Sequence, residues 1–323
     1  MPVQAIILFA LALILLIKGG DWFVNGSVGI SHRLGVPELL IGATVVSIGT
    51  TLPEVMVSAA SALSGHGQIA YGNAIGSVIC NTALIAAVTV AVKPGDADRK
   101  SLKLPLAFFF TAAVFYAANA YVFRSFSRIT GIALLAVFGV YIAISVRSAK
   151  NSIVSKKPEE ETEKPEGNIL LDIMWLVVGA ALIAVGADLL VDNGTIIAKW
   201  LGVPESVIGL TFVALGTSLP ELVTAISALT KGHGALSLGN IIGANLFNLV
   251  LVTGTSAALS PFSLPADKTV SGTPVSLCVD LPVMFGVMIL LSLPALLKGK
   301  LYRYQGILLL LIYIAFCTFQ FIF

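Results

Sequence analysis

Two glutamates lie where the sequence is otherwise strongly apolar. Glu54 and Glu221 each end a copy of the same short motif, Gly-Thr-Thr/Ser-Leu-Pro-Glu. A carboxylate in the middle of a membrane-spanning helix is costly unless it is paired, protonated or bound to a cation. No lysine or arginine lies at a comparable depth, so we expect a cation from solution to neutralise them. The alternative is a protonated or interhelically hydrogen-bonded glutamate, and the repetition of the motif argues against it.

A threonine precedes each glutamate by four residues, Thr50 in the first copy and Thr217 in the second. Residues at this spacing share one face of a helix, so each hydroxyl is expected beside its carboxylate. Hydroxyl and carboxylate oxygens are ligands that favour Ca²⁺, Na⁺ or Mg²⁺ over soft transition metals. The spacing therefore predicts a site for a hard cation.

A proline stands directly before each glutamate. Pro53 has no N–H and opposes the carbonyl of Gly49, and Pro220 opposes Gly216 in the same way. We expect each helix to break or kink at this point. Broken helices expose backbone carbonyls, which are further ligands for hard cations.

A second polar stripe follows each glutamate motif. Its members recur every four residues and line one face of a helix: Asn73, Ser77 and Asn81 in the first copy, and Asn240, Ala244 and Asn248 in the second. An amide can coordinate a cation through its oxygen or hydrogen-bond between helices. We expect coordination mainly from Asn81 and Asn248, and a supporting role for Asn73 and Asn240.

The elements that carry these residues must be membrane-spanning helices. The chain is 57% hydrophobic and 11% charged, with a mean hydropathy of +0.97, whereas soluble domains carry about 25% charged residues. Its apolar runs are long and uninterrupted, which favours helices over the alternating strands of a barrel. We predict an all-α membrane protein with ten spans, at about 3–24, 36–62, 69–92, 103–122, 127–146, 169–191, 203–229, 236–259, 276–297 and 302–322.

The two halves of the chain repeat at a constant offset of 167 residues. Residues 34–54 and 201–221 are identical at 14 of 21 positions, and the asparagine stripes align at the same offset. The repeat predicts a first five-helix unit at 1–146, with its motif region at 34–81, and a second at 169–323, with its motif region at 201–248. Because five spans is an odd number, the second unit would be inverted, as in many transporters.

The segment 147–168 separates the two units and is rich in charge and proline, which predicts a flexible surface linker. Lysine and arginine mark cytoplasmic loops. With the N-terminus outside, inner loops (Lys18 among them) carry 15 of these residues and outer loops carry 4. We therefore expect a protein of the cell membrane with both termini outside and the linker in the cytoplasm.

The paired motifs resemble the two alpha-repeats of the calcium/cation antiporter superfamily, and most closely its prokaryotic sodium/calcium exchanger branch. The resemblance implies a secondary antiporter that exchanges Na⁺ for Ca²⁺ by alternating access, with the first and sixth spans sliding against a core. It also implies a ligand set, carried over by position: Glu54, Glu221, Thr50, Thr217, Ser77, Asn81, Asn248 and the backbone carbonyls of Ser47 and Ala214. Thr51 and Ser218 match hydroxyls that support the core.

The sequence departs from that family pattern at two positions. Ala244 stands opposite Ser77, where the family often has a second hydroxyl, and Asn248 stands where some exchangers carry an aspartate. Two carboxylates balance one Ca²⁺ or two Na⁺, so the stoichiometry stays open.

Three other functions compete with sodium–calcium exchange. An H⁺-coupled cation antiporter is the main alternative, because both glutamates could carry protons. A channel is disfavoured by the paired carboxylates, which indicate a closed binding site. An enzyme is the weakest option because the sequence has no HExxH, GxSxG or P-loop motif. We expect no cofactor and no nucleic acid, and a monomer whose partners are lipid, Ca²⁺ and Na⁺, with H⁺ or K⁺ as alternative coupled ions.

Overall fold

A computed structural model describes residues 2–155, 168–201, 216, 218–266 and 268–322. Within these residues, nine helices are long and apolar enough to cross a membrane, and Leu219–Thr230 is a shorter apolar helix. The prediction of a helical membrane protein is confirmed. The span predicted at 203–229 lies mostly outside the described residues, so the count of ten remains a prediction.

Thirteen α-helices are assigned within the described residues. They are α1 (Val3–Leu34), α2 (Glu38–Ile41), α3 (Ser47–Leu63), α4 (Gly67–Cys80), α5 (Ala87–Val92), α6 (Arg99–Phe123), α7 (Arg128–Ser155), α8 (Ile169–Trp200), α9 (Leu219–Thr230), α10 (Gly234–Phe247), α11 (Thr253–Leu259), α12 (Leu281–Lys298) and α13 (Arg303–Ile322). Four π-helical turns continue or precede these helices, at Gly42–Val46, Asn81–Ala86, Asn248–Val252 and Ser276–Asp280.

Short strands join loops at the helix ends. They are β1 (Gly95–Asp96), β2 (Ser125–Phe126), β3 (Phe262–Ser263), β4 (Thr269–Val270), β5 (Thr273–Pro274) and β6 (Lys300–Leu301). They pair antiparallel as β1–β6, β2–β3 and β4–β5. The first two pairs connect loops from the two halves of the chain.

Helices α1 and α8 are about ten residues longer than the sequence predicted. The predicted ends at residues 24 and 191 are wrong, because the helices continue to Leu34 and Trp200. A helix of 32 residues spans about 48 Å, more than the roughly 30 Å of a bilayer core. Lys18 therefore lies exposed within α1 and not in a loop, which corrects its place in the charge count. Helix α7 likewise continues to Ser155, into the segment predicted as a linker.

Glycines allow α1 and α8 to pack closely against each other. A Cβ on Gly19 would lie 2.9 Å from the backbone nitrogen of Ile183, so the two helices approach at backbone distance. Close approach through small residues is a common way to pack helices in membranes. At the end of α1, Arg33 forms a part-buried ion pair with Asp172 of α8. The two long helices are thus held together along their length.

The core around the motifs is centred on α10, the most buried of the nine candidate spans. Helix α10 packs against α2, α3, α6 and α9, and against the π-helical turn Gly42–Val46. Close packing again depends on glycine, because a Cβ on Gly42 would lie 2.9 Å from the backbone nitrogen of Asn240. This approach brings the asparagine stripe of the second half against the glutamate motif of the first.

The described parts of the two halves share local geometry at the 167-residue offset. Gly65 and Gly232 both adopt left-handed backbone conformations, with φ of 82° and 87°, which glycine tolerates best. His66 and His233 follow them as N-cap residues of α4 and α10. Matching turns therefore join the two key helices in each half.

Candidate cation-binding site

The two motif glutamates are buried and close to each other. Glu54 lies within α3 and Glu221 in the first turn of α9, and both are fully buried. None of their four carboxylate oxygens has a hydrogen-bond partner among the described residues. The two acids lie on neighbouring helices, because α3 and α9 are in contact. Two such buried acids require a positive charge or protons to be stable.

Thr50 connects the two halves at this point. Its hydroxyl is buried and donates to the amide oxygen of Asn240 at 3.2 Å. The lone pairs of the Thr50 oxygen remain available. Two predicted ligands of the second half lie outside the described residues: Thr217, which is the counterpart of Thr50, and the backbone carbonyl of Ala214.

Asn81 and Asn248 each begin a π-helical turn at the end of their stripe. Both are fully buried, and neither amide atom of Asn81 has a partner among the described residues. The Asn248 amide nitrogen donates to the Ala244 carbonyl at 3.0 Å, which leaves its oxygen without a partner. Turns of this kind occur frequently at functional sites. Both side chains can offer an oxygen to a cation.

Asn73 and Asn240, the first asparagines of the two stripes, form hydrogen bonds with neighbouring helices. The amide oxygen of Asn240 accepts from Ser47 and Thr50, each at 3.2 Å. The amide nitrogen of Asn73 donates to the Ser58 hydroxyl at 2.8 Å and to the backbone carbonyl of Glu54 at 3.3 Å. These asparagines therefore link α4 and α10 to α3, the helix that carries Glu54 and Thr50.

The prediction was a break or a kink at Pro53, and the break is wrong for the first half, where α3 continues through the proline; the kink stays a prediction. An irregularity lies about two turns earlier, in the π-helical turn Gly42–Val46. Side-chain hydroxyls satisfy carbonyls of that turn, because Ser47 donates to Gly42 at 2.7 Å and Tyr141 donates to Ala43 at 2.8 Å. Pro53 still leaves the Gly49 carbonyl without its helical N–H partner.

In the second half, the described helix begins beside the proline. Ser218 is the N-cap residue of α9 and Pro220 lies in the first turn, where a missing N–H costs nothing. The hydroxyls of Ser218 and Thr51 are buried, and neither has a hydrogen-bond partner among the described residues. Helix α9 therefore presents Glu221 at its N-terminal end.

Comparison with known proteins identifies the family. The family model described as sodium/calcium exchanger protein matches residues 4–147 and 171–322. The sodium/calcium exchanger MaX1 of Methanosarcina acetivorans is 31% identical over 345 residues, covering 96% of each chain. The inner membrane protein YrbG of Escherichia coli is 36% identical over 259 residues, covering 79% of each chain.

The chain belongs to the sodium/calcium exchanger family.

The solved structures agree with this assignment. The sodium–calcium exchanger NCX_Mj, in a crystal soaked with Na⁺ and Sr²⁺, superposes with a TM-score of 0.82 at 33% identity and covers 98% of both chains. The resemblance to the prokaryotic exchanger branch, drawn from the motifs, is therefore confirmed.

A cavity of about 530 Å³ lies beside residues predicted for the site of the exchanger. Ser77 and Ser218 line it, together with Cys80, Asp280 and Gln320. Ser77 is buried, as a ligand position would be. The cavity therefore exposes two of the predicted hydroxyls to a space large enough for several waters.

Asn245 is the site residue that sequence reasoning left unassigned. It is fully buried and its amide nitrogen donates to the Thr82 hydroxyl at 2.7 Å and to the Met288 sulfur at 3.2 Å. Its oxygen has no partner among the described residues. The position equivalent to Asn245 in the first half is Val78, so the repeat gave no signal for it.

Proposed function

We propose that the exchanger carries Ca²⁺ outward and Na⁺ inward by alternating access, with Glu54 and Glu221 as the central ligands. The observation that carries the proposal is the pair of fully buried carboxylates whose four oxygens have no partner among the described residues. Each unpaired buried acid is strongly unfavourable unless a cation or proton neutralises it. A cation bound between them balances both charges at once.

We propose a ligand set made only of oxygen atoms around these acids. It comprises the hydroxyls of Thr50, Thr217 and Ser77, the amide oxygens of Asn81 and Asn248, and the backbone carbonyls of Ser47 and Ala214. Thr51, Ser218, Pro53, Pro220, Asn73 and Asn240 would hold these groups in place. All-oxygen sets suit Ca²⁺ and Na⁺. The unpartnered amide oxygens of Asn81 and Asn248 support this assignment.

Charge balance limits what the site can hold at one time. The carboxylates of Glu54 and Glu221 provide a formal charge of −2, which equals the charge of one Ca²⁺ or of two Na⁺. A third Na⁺ would leave a net positive charge that amide and carbonyl dipoles must offset in a low dielectric. Because Ca²⁺ and Na⁺ bind to the same two glutamates, binding of one ion excludes the other. This mutual exclusion is the requirement for antiport.

We propose ten spans in two inverted repeats, with both termini outside and 147–168 in the cytoplasm. The matching Gly65 and Gly232 turns support the duplication, and the odd number of spans per half gives the inversion. The α1–α8 pair would move against the core during transport. Its close backbone contact at Gly19 and its large exposed apolar surface support movement as one unit.

The test of coupling is ⁴⁵Ca²⁺ uptake into proteoliposomes loaded with Na⁺, compared with vesicles that carry only a pH gradient. We expect uptake to follow the Na⁺ gradient and to stop when Na⁺ is replaced by choline. Uptake driven by the pH gradient alone would instead identify an H⁺-coupled antiporter. Uptake that follows the Ca²⁺ gradient alone, with no coupled ion, would identify a channel.

A further inference from the structure

A buried hydrogen bond joins the two halves of the chain close to the last asparagine of each stripe. The amide nitrogen of Asn245, in α10, donates to the Thr82 hydroxyl at 2.7 Å. Both side chains are fully buried. Thr82 directly follows Asn81 in its π-helical turn, and Asn245 precedes Asn248 by three residues. The bond therefore lies within one helical turn of both asparagines.

The neighbours of this bond hold it in one arrangement. The Thr82 hydroxyl donates its single proton to the backbone carbonyl of Val78 at 2.7 Å, which leaves its oxygen free to accept from Asn245. The Met288 sulfur, in α12, lies 3.2 Å from both the Thr82 hydroxyl oxygen and the Asn245 amide nitrogen. Three separate elements therefore meet at the pair.

The internal repeat shows that packing alone does not require a polar pair here. At the offset of 167 residues, Asn245 corresponds to Val78 and Thr82 corresponds to Leu249. Both counterparts are fully buried members of the hydrophobic core. Burial of an amide is costly, and the Asn245 oxygen has no partner among the residues that the structure describes. A polar pair at a position where its repeat copy is apolar indicates a role other than filling space.

The spacing of cation ligands is such a role. Asn81 and Asn248 come from different halves of the chain, and each begins a π-helical turn. Ca²⁺ takes six to eight oxygen ligands at about 2.3–2.6 Å, so oxygens supplied by the two halves must keep a fixed separation. Contacts between the halves set that separation. The bond from Asn245 to Thr82 is such a contact, and it is close in sequence to both asparagines.

We propose that Asn245 and Thr82 are positioning residues, whose hydrogen bond holds the amide oxygens of Asn81 and Asn248 at the separation that Ca²⁺ requires. This role rests on the proposed function, in which both asparagines are ligands. Loss of one buried hydrogen bond should raise the KM for Ca²⁺ about three- to tenfold. A loss confined to ion binding leaves the maximal exchange rate unchanged.

The experiment measures Na⁺-driven ⁴⁵Ca²⁺ uptake into proteoliposomes at varied Ca²⁺, with thermal unfolding of the same proteins. T82V removes the accepting hydroxyl, and N245V introduces the residue type that the first half has at position 78. Both should raise the KM for Ca²⁺. T82S keeps the hydroxyl and should have the wild-type KM. The matched control is L249V at the position equivalent to Thr82, which removes no hydrogen bond and should lower the unfolding temperature without changing the KM.

The double variant N245V/T82V separates positioning from stability. T82V leaves the Asn245 amide nitrogen with only the Met288 sulfur, whereas the double variant removes both polar groups, which costs less stability than leaving one unpaired. The double variant should therefore unfold at a higher temperature than T82V while its KM stays as high. Recovery of both the unfolding temperature and the KM would make the bond purely structural and overturn the proposal. A wild-type KM in both T82V and N245V would overturn it as well.

The N81A and N248A variants distinguish this role from the function on which it rests. A raised KM in N81A and N248A, with a wild-type KM in T82V and N245V, would refute the positioning role alone. A wild-type KM in N81A and N248A would contradict the proposed ligand set, and the positioning role with it. Calorimetric Ca²⁺ binding to the same variants gives the affinities whichever ion is coupled to Ca²⁺.

Discussion

Replacement of Asn240 by leucine separates a positioning role from a ligand role. The amide oxygen of Asn240 accepts hydrogen bonds from Ser47 and Thr50 at 3.2 Å each. Ser47 keeps its bonds to the backbone carbonyls of Gly42 and Asn240 after the change, whereas Thr50 loses its orientation. Leucine has the same branching and the same number of side-chain heavy atoms as asparagine, with bulkier methyl groups, so the substitution leaves no cavity.

The magnitude follows from the Thr50 contact, because Ser47 keeps its backbone acceptors. At 3.2 Å this contact is longer than the usual 2.7–2.8 Å of a hydroxyl hydrogen bond, so it contributes about 0.5 to 1 kcal/mol. Its loss corresponds to about a two- to fivefold weaker Ca²⁺ affinity at roughly 1.4 kcal/mol per factor of ten.

The assay is a Ca²⁺ titration of purified N240L by isothermal calorimetry, with thermal unfolding measured in parallel to show that the variant is folded. An unchanged Ca²⁺ affinity would mean that the Thr50 orientation is unimportant for binding. A loss greater than a thousandfold in a folded variant would make Asn240 a direct ligand. Either result would refute the reasoning from the hydrogen bonds.

Two further predictions concern a sodium position and the α1–α8 contact. The A244S variant restores a hydroxyl opposite Ser77 and should lower the Na⁺ concentration needed for half-maximal exchange, with a steeper dependence on Na⁺; an identical Na⁺ curve would contradict this role. The G19A variant places a Cβ 2.9 Å from the backbone of Ile183 and should lower the unfolding temperature and the exchange rate, at a cost of about 1 to 3 kcal/mol, with Ca²⁺ affinity preserved. The matched control is G286A, where a Cβ meets nothing within 4 Å; equal effects of the two alanines would argue against backbone contact between α1 and α8.

The location of the two acids could be predicted from the sequence because a carboxylate in an apolar run is physically expensive. Repetition at a fixed offset then indicated which threonines and asparagines to examine, and Thr50, Asn81 and Asn248 are buried in the structure. Asn245 has no counterpart in the other half, and so the same reasoning could not find it.

Helix ends and helix breaks depend on packing, which hydropathy does not record. The polar stretch around Lys18 looked like the end of a span, yet Gly19 is where α1 touches α8. Pro53 was expected to break or kink its helix; the helix does not break there, and hydroxyl donors from Ser47 and Tyr141 stabilise a π-helical turn before it. Such donors come from other elements or from the turn itself and are visible only once the chain is folded.

The central claim is that Glu54 and Glu221 together hold the transported cation. The most direct test is calorimetric Ca²⁺ binding to the E54Q and E221Q variants, with Na⁺ as competitor. The control variant is D280N. Asp280 lines the 530 Å³ cavity, and its carboxylate accepts a hydrogen bond from Gln320 at 2.8 Å. The account predicts at least a hundredfold weaker Ca²⁺ binding in each glutamate variant and near wild-type binding in D280N. Wild-type Ca²⁺ affinity in either E54Q or E221Q would contradict it.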